Sequence, residues 1–346
     1  MANIREMLIG WGKCKQADIA TANTLSGLWR LNKLNASLNS PKLNTEDDAP
    51  ELGKGHEFAT TVYKTSWDFG EQIEKYLSAE FAAWVMAFSL GHVVKTGTTP
   101  NWIYTCTPLD PTTEGRELSY FSYLQQVRPG AGVILDRIMS GCAIEGWTLT
   151  LSKGPGRAAS KMTVDIVGSG KYVSPSTITL PAATVEKLLA SASLACTING
   201  TDYVTAKTIE SLTISWKNNI NLEDGFYPGS GFQTGGTATS GAIRGRMEVG
   251  DRVLSLDFVA RLEHASDEET KLLAQTENTA VLSLSYDTNN SLALTFQRIQ
   301  YAAVQPADQS GTIVVQVNTR PLWHTTNHLI TAVAKCNVDG IAQAES

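Results

Sequence analysis

The chain has 346 residues, 42% apolar and 18% charged, enough to bury one large core or two medium ones and too apolar for a disordered segment. A formal net charge of -6, with no strongly basic patch, excludes the phosphate-neutralising footprint of a stable nucleic-acid binder. No apolar run reaches membrane-spanning length and the N-terminus MANIREMLIGWGKCK has no secretory pattern, which together predict no membrane partner and synthesis in the cytosol.

Taken in chain order, Leu28, Leu31, Leu34 and Leu38 recur at intervals of three and four and predict a short helix. An acidic loop follows, with Glu46, Asp47, Asp48, Pro50 and Glu51, and ends in Gly53-Lys54-Gly55-His56-Glu57 ahead of a strand over 58–67. That loop is too polar to bury and too long for a hairpin turn. Ordered loops of this kind usually touch something, which makes Glu46, Asp47, Asp48, Glu51, Lys54 and Glu57 the candidate contact residues. The spacing of Ile73, Leu77, Phe81, Trp84, Val85 and Phe88 predicts a helix over about 71–90, its apolar stripe facing the core. Strands are predicted at 102–106, 118–125, 133–138, 144–151 and 162–167.

Residues 171–206 read as a connector with a short helix begun by Pro181 and carrying Val185, Leu188 and Leu189. Beyond it come a strand over 209–216, a Gly-rich loop over 225–241 and an alternating strand over 254–262. The box Ser266-Asp267-Glu268-Glu269 predicts a helix over about 266–275. Strands 282–286 and 292–296 are turned by Asp287-Thr288-Asn289-Asn290, and a further strand covers 312–317. After Trp323 an apolar run over 329–333 leads into a polar end predicted to lie loose. The fold class is therefore all-β with a few helices, a sandwich or barrel.

Both halves run strand, helix, hairpin, so that 58–67 corresponds to 254–262 and the helix at 71 to the helix at 266. This predicts two tandem β units, 1–170 and 207–320, joined by 171–206 and followed by a tail over 321–346. A shorter echo relates Ile144-Glu145-Gly146-Trp147-Thr148-Leu149-Thr150-Leu151 to Ile209-Glu210-Ser211-Leu212-Thr213-Ile214-Ser215-Trp216, in a different register.

Catalytic chemistry was sought through its motifs. Gly168-Ser169-Gly170-Lys171 lacks the spacing of a phosphate loop and reads as a tight turn; so does Lys153-Gly154-Pro155-Gly156-Arg157. His324 and His328 stand four apart without a third ligand, and the acidic run lacks the alternating spacing of a calcium loop. Cys14, Cys106, Cys142, Cys196 and Cys336 form no CxxC pair and read as isolated buried thiols. No nucleophile elbow occurs. The chain is read as no enzyme, with no catalytic, metal or cofactor-binding residue and no cofactor. Most of the eight tryptophans fall in predicted strands or on the helix stripe, where core packing is the commoner use than sugar stacking.

The wording of 23–60, NTLSGLWRLNKLNASLNSPKLNTEDDAPELGKGHEFAT, resembles the N-terminal region of tail tube proteins of tailed bacteriophages. The order of features over most of the chain is similar to that family too. The resemblance implies a β-sandwich flanked by a helix, whose inner strands join those of neighbouring copies into a barrel around a channel. It implies a structural virion protein, assembled in the host cytoplasm into stacked rings that form the tail tube and pass DNA into the host. Partners would be copies of itself, other tail proteins and, transiently, DNA. Two fused units imply a trimeric ring with pseudo-six-fold symmetry; a single unit implies a hexamer. The loops at 44–57 and 225–241 would contact the next ring or line a seam. Three chains of -6 give a ring of -18, and any part of that charge lining the channel would repel DNA from the wall. The alternatives are a secreted carbohydrate-binding β-sandwich, or a ring protein of a bacterial contractile injection machine.

Overall fold

The computed structural model describes residues 7–35, 38–47, 58–59, 62–128, 132, 135–152, 160–168, 172–173, 179–183, 185–198, 200–204, 208–222, 232–233, 241–242, 245–261, 265–309, 311–325 and 329–345. The first part holds β1 (Met7–Gly12), β2 (Leu28–Leu31), β3 (Lys42–Asp47), β4 (Val62–Tyr76), α1 (Ala79–Leu90), β5 (Gly91–Thr98), β6 (Asn101–Pro108), β7 (Phe121–Val127), β8 (Leu135–Ser152), β9 (Lys161–Gly168) and β10 (Tyr172–Val173). The second holds β11 (Ala195–Ile198), β12 (Thr201–Asp202), β13 (Ile209–Lys217), β14 (Phe232–Gln233), β15 (Gly241–Ala242), β16 (Val253–Arg261), α2 (Ala265–Leu273), β17 (Asn278–Asp287), β18 (Asn290–Gln309), β19 (Thr312–Pro321) and β20 (Thr331–Cys336).

The pairing order recurs strand for strand. In the first part it runs β2, β1, β7, β8, β9, β4, β3. In the second it runs β12, β11, β17, β18, β19, β16, β13. β8 and β18 are the long strands of each set, and each carries a bulge at the same place against its hairpin partner, at Ile144/Gly146 and at Tyr301/Ala303. Bulges bend a strand and re-aim it, so both strands serve an outer sheet with their first half and an inner sheet with their second. β10 and β20 pair with the first halves of β8 and β18 in the same way. The hairpin β5–β6, inserted after α1, has no counterpart and pairs with β20. The two parts are stitched through β8 and β13, in a register that sets Trp147 opposite Trp216. The short echo between 144–151 and 209–216 thus relates neighbours in one sheet. The equivalent strands are β4 and β16, followed by α1 and α2.

α1 sits inside the molecule. All twelve residues are buried, including Glu80 and Ser89, so the helix has no solvent face and no one-sided stripe. It begins at Ser78, whose hydroxyl accepts the Phe81 N–H at 3.1 Å. Trp11, Phe81, Trp84, Phe88, Phe121 and Tyr123 interlock around it edge to face and stacked, with centroids 4.7–6.1 Å apart. Residues 71–76, expected to be helical, instead extend β4. The strand was disguised because its buried positions include Glu71 and Lys75, which carry their charges inward against Lys33 and Glu186, each at 2.8 Å.

Three further expectations are corrected. Residues 28–38 form no helix: Leu28 to Leu31 pair with β1, and the segment after them lies along β4, with Leu34 N–H donating to Glu74 O at 2.7 Å. The connector after Pro181 is extended. It straps across 77–79 through Ala79 N–H to Lys187 O and Leu189 N–H to Leu77 O, both 2.9 Å, while Val185 stays exposed. The end of the chain is not loose. β20 lies between β18 and β6, Ile341 and Ala342 are buried, and the Glu345 carboxylate accepts the Gly27 N–H at 3.0 Å and the Thr24 N–H at 2.9 Å. Of the predicted capping box at 266–269, the side chains of Ser266 and Asp267 lie outside the described residues.

Candidate assembly surface

The inner sheet is continuous across both parts. From the segment 38–42 that leads into β3 it runs through the second half of β4, β9, β8, β13, β16, β19 and the second half of β18, eight chain segments in all. Its central strands β9, β13 and β16 alternate between buried and open positions. Ile73, Met162, Val164, Trp147, Leu149, Leu212, Ile214, Trp216, Leu256, Phe258, Val315 and Val317 are buried on the face toward the helices.

The opposite face carries hydroxyls and amides. Cross-strand pairs Thr148 with Thr163, Thr148 with Ser215, Thr150 with Thr213, and Ser215 with Ser255 tile its centre. The Ser215 and Ser255 hydroxyls are 2.8 Å apart. Its acids have partners: Gln72 donates to Asp165 at 2.9 Å, Asn318 to Asp257 at 3.0 Å, and Lys161 sits 3.0 Å from Glu74. Lys217, Arg261 and Arg320 add positive charge, and Arg261 pairs with the buried Glu210 of the next strand. Among the described residues Glu74, Asp165 and Asp257 stand against Lys161, Lys217, Arg261 and Arg320, and Asp68 against Lys42, so this face is close to neutral.

The sheet does not close on itself among the described residues. At Cys142, β8 is flanked by β7 on one edge and β9 on the other; along the β7 edge, β13 then takes over from Gly146 to Ser152. At Ile299, β18 is likewise flanked by β17 and β19, but beyond it no described strand takes up the β17 edge as far as Gln309. At the other end of the sheet β3 has β4 on one side and no described strand on its outer side. Unpaired edges offer rows of backbone donors and acceptors to another chain.

The expected contact residues are only partly placed. Glu46 and Asp47 are exposed and belong to β3, opposite Tyr63 and Val62, so the loop begins later than the sequence implied. Asp48, Glu51, Lys54 and Glu57 lie outside the described residues. β4 pairs with β9 only from Phe69 onward, so β3 and the first half of β4 form an arm running past the inner sheet. The second part repeats the start of the arrangement: Asn221 bridges Glu248 just where Glu46 faces Tyr63, and most of the expected contact loop at 225–241 lies outside the described residues. The short strands β14 and β15 from that loop reach the first arm, with Ala242 beside Ser66.

Elsewhere, a groove of about 710 Å³ is lined by Asp18, Glu114, Glu117, Tyr120 and Glu345 among others. Each of these acids is engaged locally: Asp18 by Thr21, Glu114 by His92, Glu117 by the Tyr120 hydroxyl and Glu345 by Thr24. Hydrogen bonds from the 18–21 turn, led by the Thr21 hydroxyl, hold the Asp18 carboxyl below its ordinary value. All five cysteines are free and buried, and burial pushes the Cys196 and Cys336 thiols up to about 12. Trp11, Trp84, Trp147 and Trp216 are fully buried core residues. His56 and His328 fall outside the described residues.

The residues forming the neutral face and the open edges were missed in the sequence. Two signals were available: Ser or Thr at every second position of 148–152 and 211–215, and the shared pattern Ser40-Pro41-Lys42-Leu43-Asn44 and Ser215-Trp216-Lys217-Asn218-Asn219. A family model described as Phage tail tube protein matches residues 58–321, about three quarters of the chain, and so covers strands of both sets from β4 to β19 while leaving β1 to β3 and β20 outside. The match starts at Phe58, leaving almost all of the 23–60 stretch that first suggested the resemblance outside it. No curated protein matches the chain.

Proposed function

The chain belongs to the phage tail tube protein family, a structural component of the virion tail, and on that premise we propose that three copies close into a ring whose stacking forms the conduit for DNA. The observation that carries this reading is an inner sheet with one face buried, one face polar and both ends open. Each set of strands acts as one tube unit, so three chains supply six units. Eight inner strands per copy make twenty-four in the ring. At about 4.8 Å per strand the perimeter is roughly 115 Å, and the backbones stand at least about 35 Å apart across the channel, more once the strands tilt. That leaves room for a nucleic-acid duplex.

The polar face lines the channel. Ser, Thr, Gln and Asn side chains stay hydrated, and the cations there are matched by acids, so phosphates meet no cluster of Lys or Arg that would hold them. DNA slides because the wall is nearly neutral, in contrast to the acidic lining that the net charge suggested. Assembly with other tail proteins takes place at the ends of the stack, in the host cytoplasm.

The arms built on β3 and β4, with the Asn221–Glu248 bridge of the second part, meet the next ring, a heterologous contact that repeats along an axis and generates a filament. Replacing Glu46, Asp47 and Asp48 by Ala is expected to shorten tubes while leaving melting behaviour unchanged. Tubes of wild-type length from that variant would count against the contact. Negative-stain microscopy of the purified chain tests the reading as a whole: rings or tubes with a central hole support it, and monodisperse monomers at high concentration overturn it.

A further inference from the structure

We propose that the junction between copies repeats the junction inside the chain: residues 38–42 of one copy pair antiparallel with residues 303–307 of β18 in the next, Lys42 opposite Ala303. The proposal rests on the ring reading above and assigns its interface.

The assignment follows from the repeat. Within one chain, the rung Gln72, Asp165, Gly146 crosses β4, β9 and β8, and the rung Asp257, Asn318, Ala303 crosses β16, β19 and β18. Gly146 and Ala303 both follow the bulge, so the stretch of β8 from 146 to 152 corresponds to 303–309 of β18. On the other side, Lys217 faces Val253 at the start of β16 and Lys42 faces Asp68, the equivalent position of β4. The strand β13 from 213 to 217 therefore corresponds to 38–42.

Inside the chain these two elements meet. Lys217 lies opposite Gly146, Ser215 opposite Thr148 and Thr213 opposite Thr150. Their counterparts, Lys42 with Ala303, Ser40 with Gln305 and Leu38 with Ala307, stand at opposite ends of an eight-strand sheet, each on an edge that no described strand covers. Among the described residues the two edges do not pair with each other within one copy, which leaves each of them to a neighbouring copy. The shared Ser-X-Lys-X-Asn pattern at 40–44 and 215–219 falls at these equivalent positions.

The intermolecular ladder is shorter than the internal one. Pro41 and Pro306 have no N–H to give, and the Asn39 backbone is held from below, its N–H donating to Glu71 at 2.9 Å and its carbonyl accepting from Arg137 at 2.8 Å. The contact within a chain is thus the stronger, and rings form from folded monomers.

The test is a disulfide. Opposed residues in an antiparallel pair lie within reach of a cystine, and the native thiols are all buried. Under mild oxidation of assembled protein, Ser40→Cys with Gln305→Cys is expected to give covalent dimers and trimers on a non-reducing gel. Lys42→Cys with Ala303→Cys reads the same register beyond Pro41. Either single variant alone, and Val94→Cys with Gln305→Cys, is expected to give at most trace cross-linking. Rings visible by microscopy without cross-linking in either pair overturn the junction and leave the ring standing. Absence of rings from the unsubstituted chain removes the ring reading, and the junction with it.

Discussion

Replacing Phe81 by Asp is expected to leave no soluble protein with a cooperative melt. Phe81 is fully buried, stacked 6.1 Å from Trp84 and edge-on to Trp11 at 5.6 Å. Removing a buried aromatic ring costs about 3–5 kcal/mol in lost transfer and cavity terms alone. The new carboxylate adds several more, because it is buried with no solvent access in a helix where burial already pushes Glu80 toward its neutral form. Lys75 lies 5.7 Å from the Phe81 ring, but Glu186 already holds it at 2.8 Å. A total stability of roughly 5–15 kcal/mol does not absorb such a loss. Phe81→Leu keeps the site apolar and is expected to fold. A Phe81→Asp chain that melts like the wild type would mean that the inner face of α1 is misassigned.

The second large effect is at Asn218, which ties the end of β13 to β8 and to α1. Its side-chain amide donates to Ser89 O, the penultimate residue of α1, and to Ile144 O in β8, each at 2.9 Å. Its carbonyl accepts the Trp216 indole N–H at 3.0 Å. Asn218→Ala leaves that indole donor orphaned and two carbonyls short of a partner in a site with no exposure. At about 1–3 kcal/mol for an orphaned buried group, the loss is expected to reach roughly 3–5 kcal/mol. It would be read as a lower urea midpoint with unchanged slope. A midpoint within error of wild type would show that the network is not holding the junction.

Much of the fold was legible because alternation is a local signal. β16 and the hairpin β17–β18 follow their side-chain period, and the turn works as its residues imply: Asp287 accepts the Asn289 N–H at 2.8 Å and the Asn290 side-chain amide at 2.9 Å. Where the reading failed, tertiary contacts outweighed the local pattern. Glu71 and Lys75 broke the apolar period of β4 because their partners, Lys33 and Glu186, are distant in sequence. Leu28 and Leu31 have helical spacing, yet the edge of β1 offered a ladder that a short helix does not match.

The assembly surface was less legible still. Glu46 and Asp47 stand out in composition, but the open edges at 38–42 and 303–307 have unremarkable residues. Their meaning comes from which strands pair elsewhere. Strand, helix and hairpin recur in the order the sequence suggested, but the pairing makes β16 the counterpart of 69–76 of β4 and not of 58–67, and the echo of 144–151 in 209–216 marked two adjacent strands.

The number of chains in each ring separates a trimer of paired units from a hexamer. Native mass spectrometry of rings released from tubes, alongside end-on class averages, gives that number directly. Two tube units per chain predict three chains of 37.3 kDa in a ring with six similar lobes. Six chains per ring, or a ring whose three-fold and six-fold averages show no alternation between lobes, would contradict it.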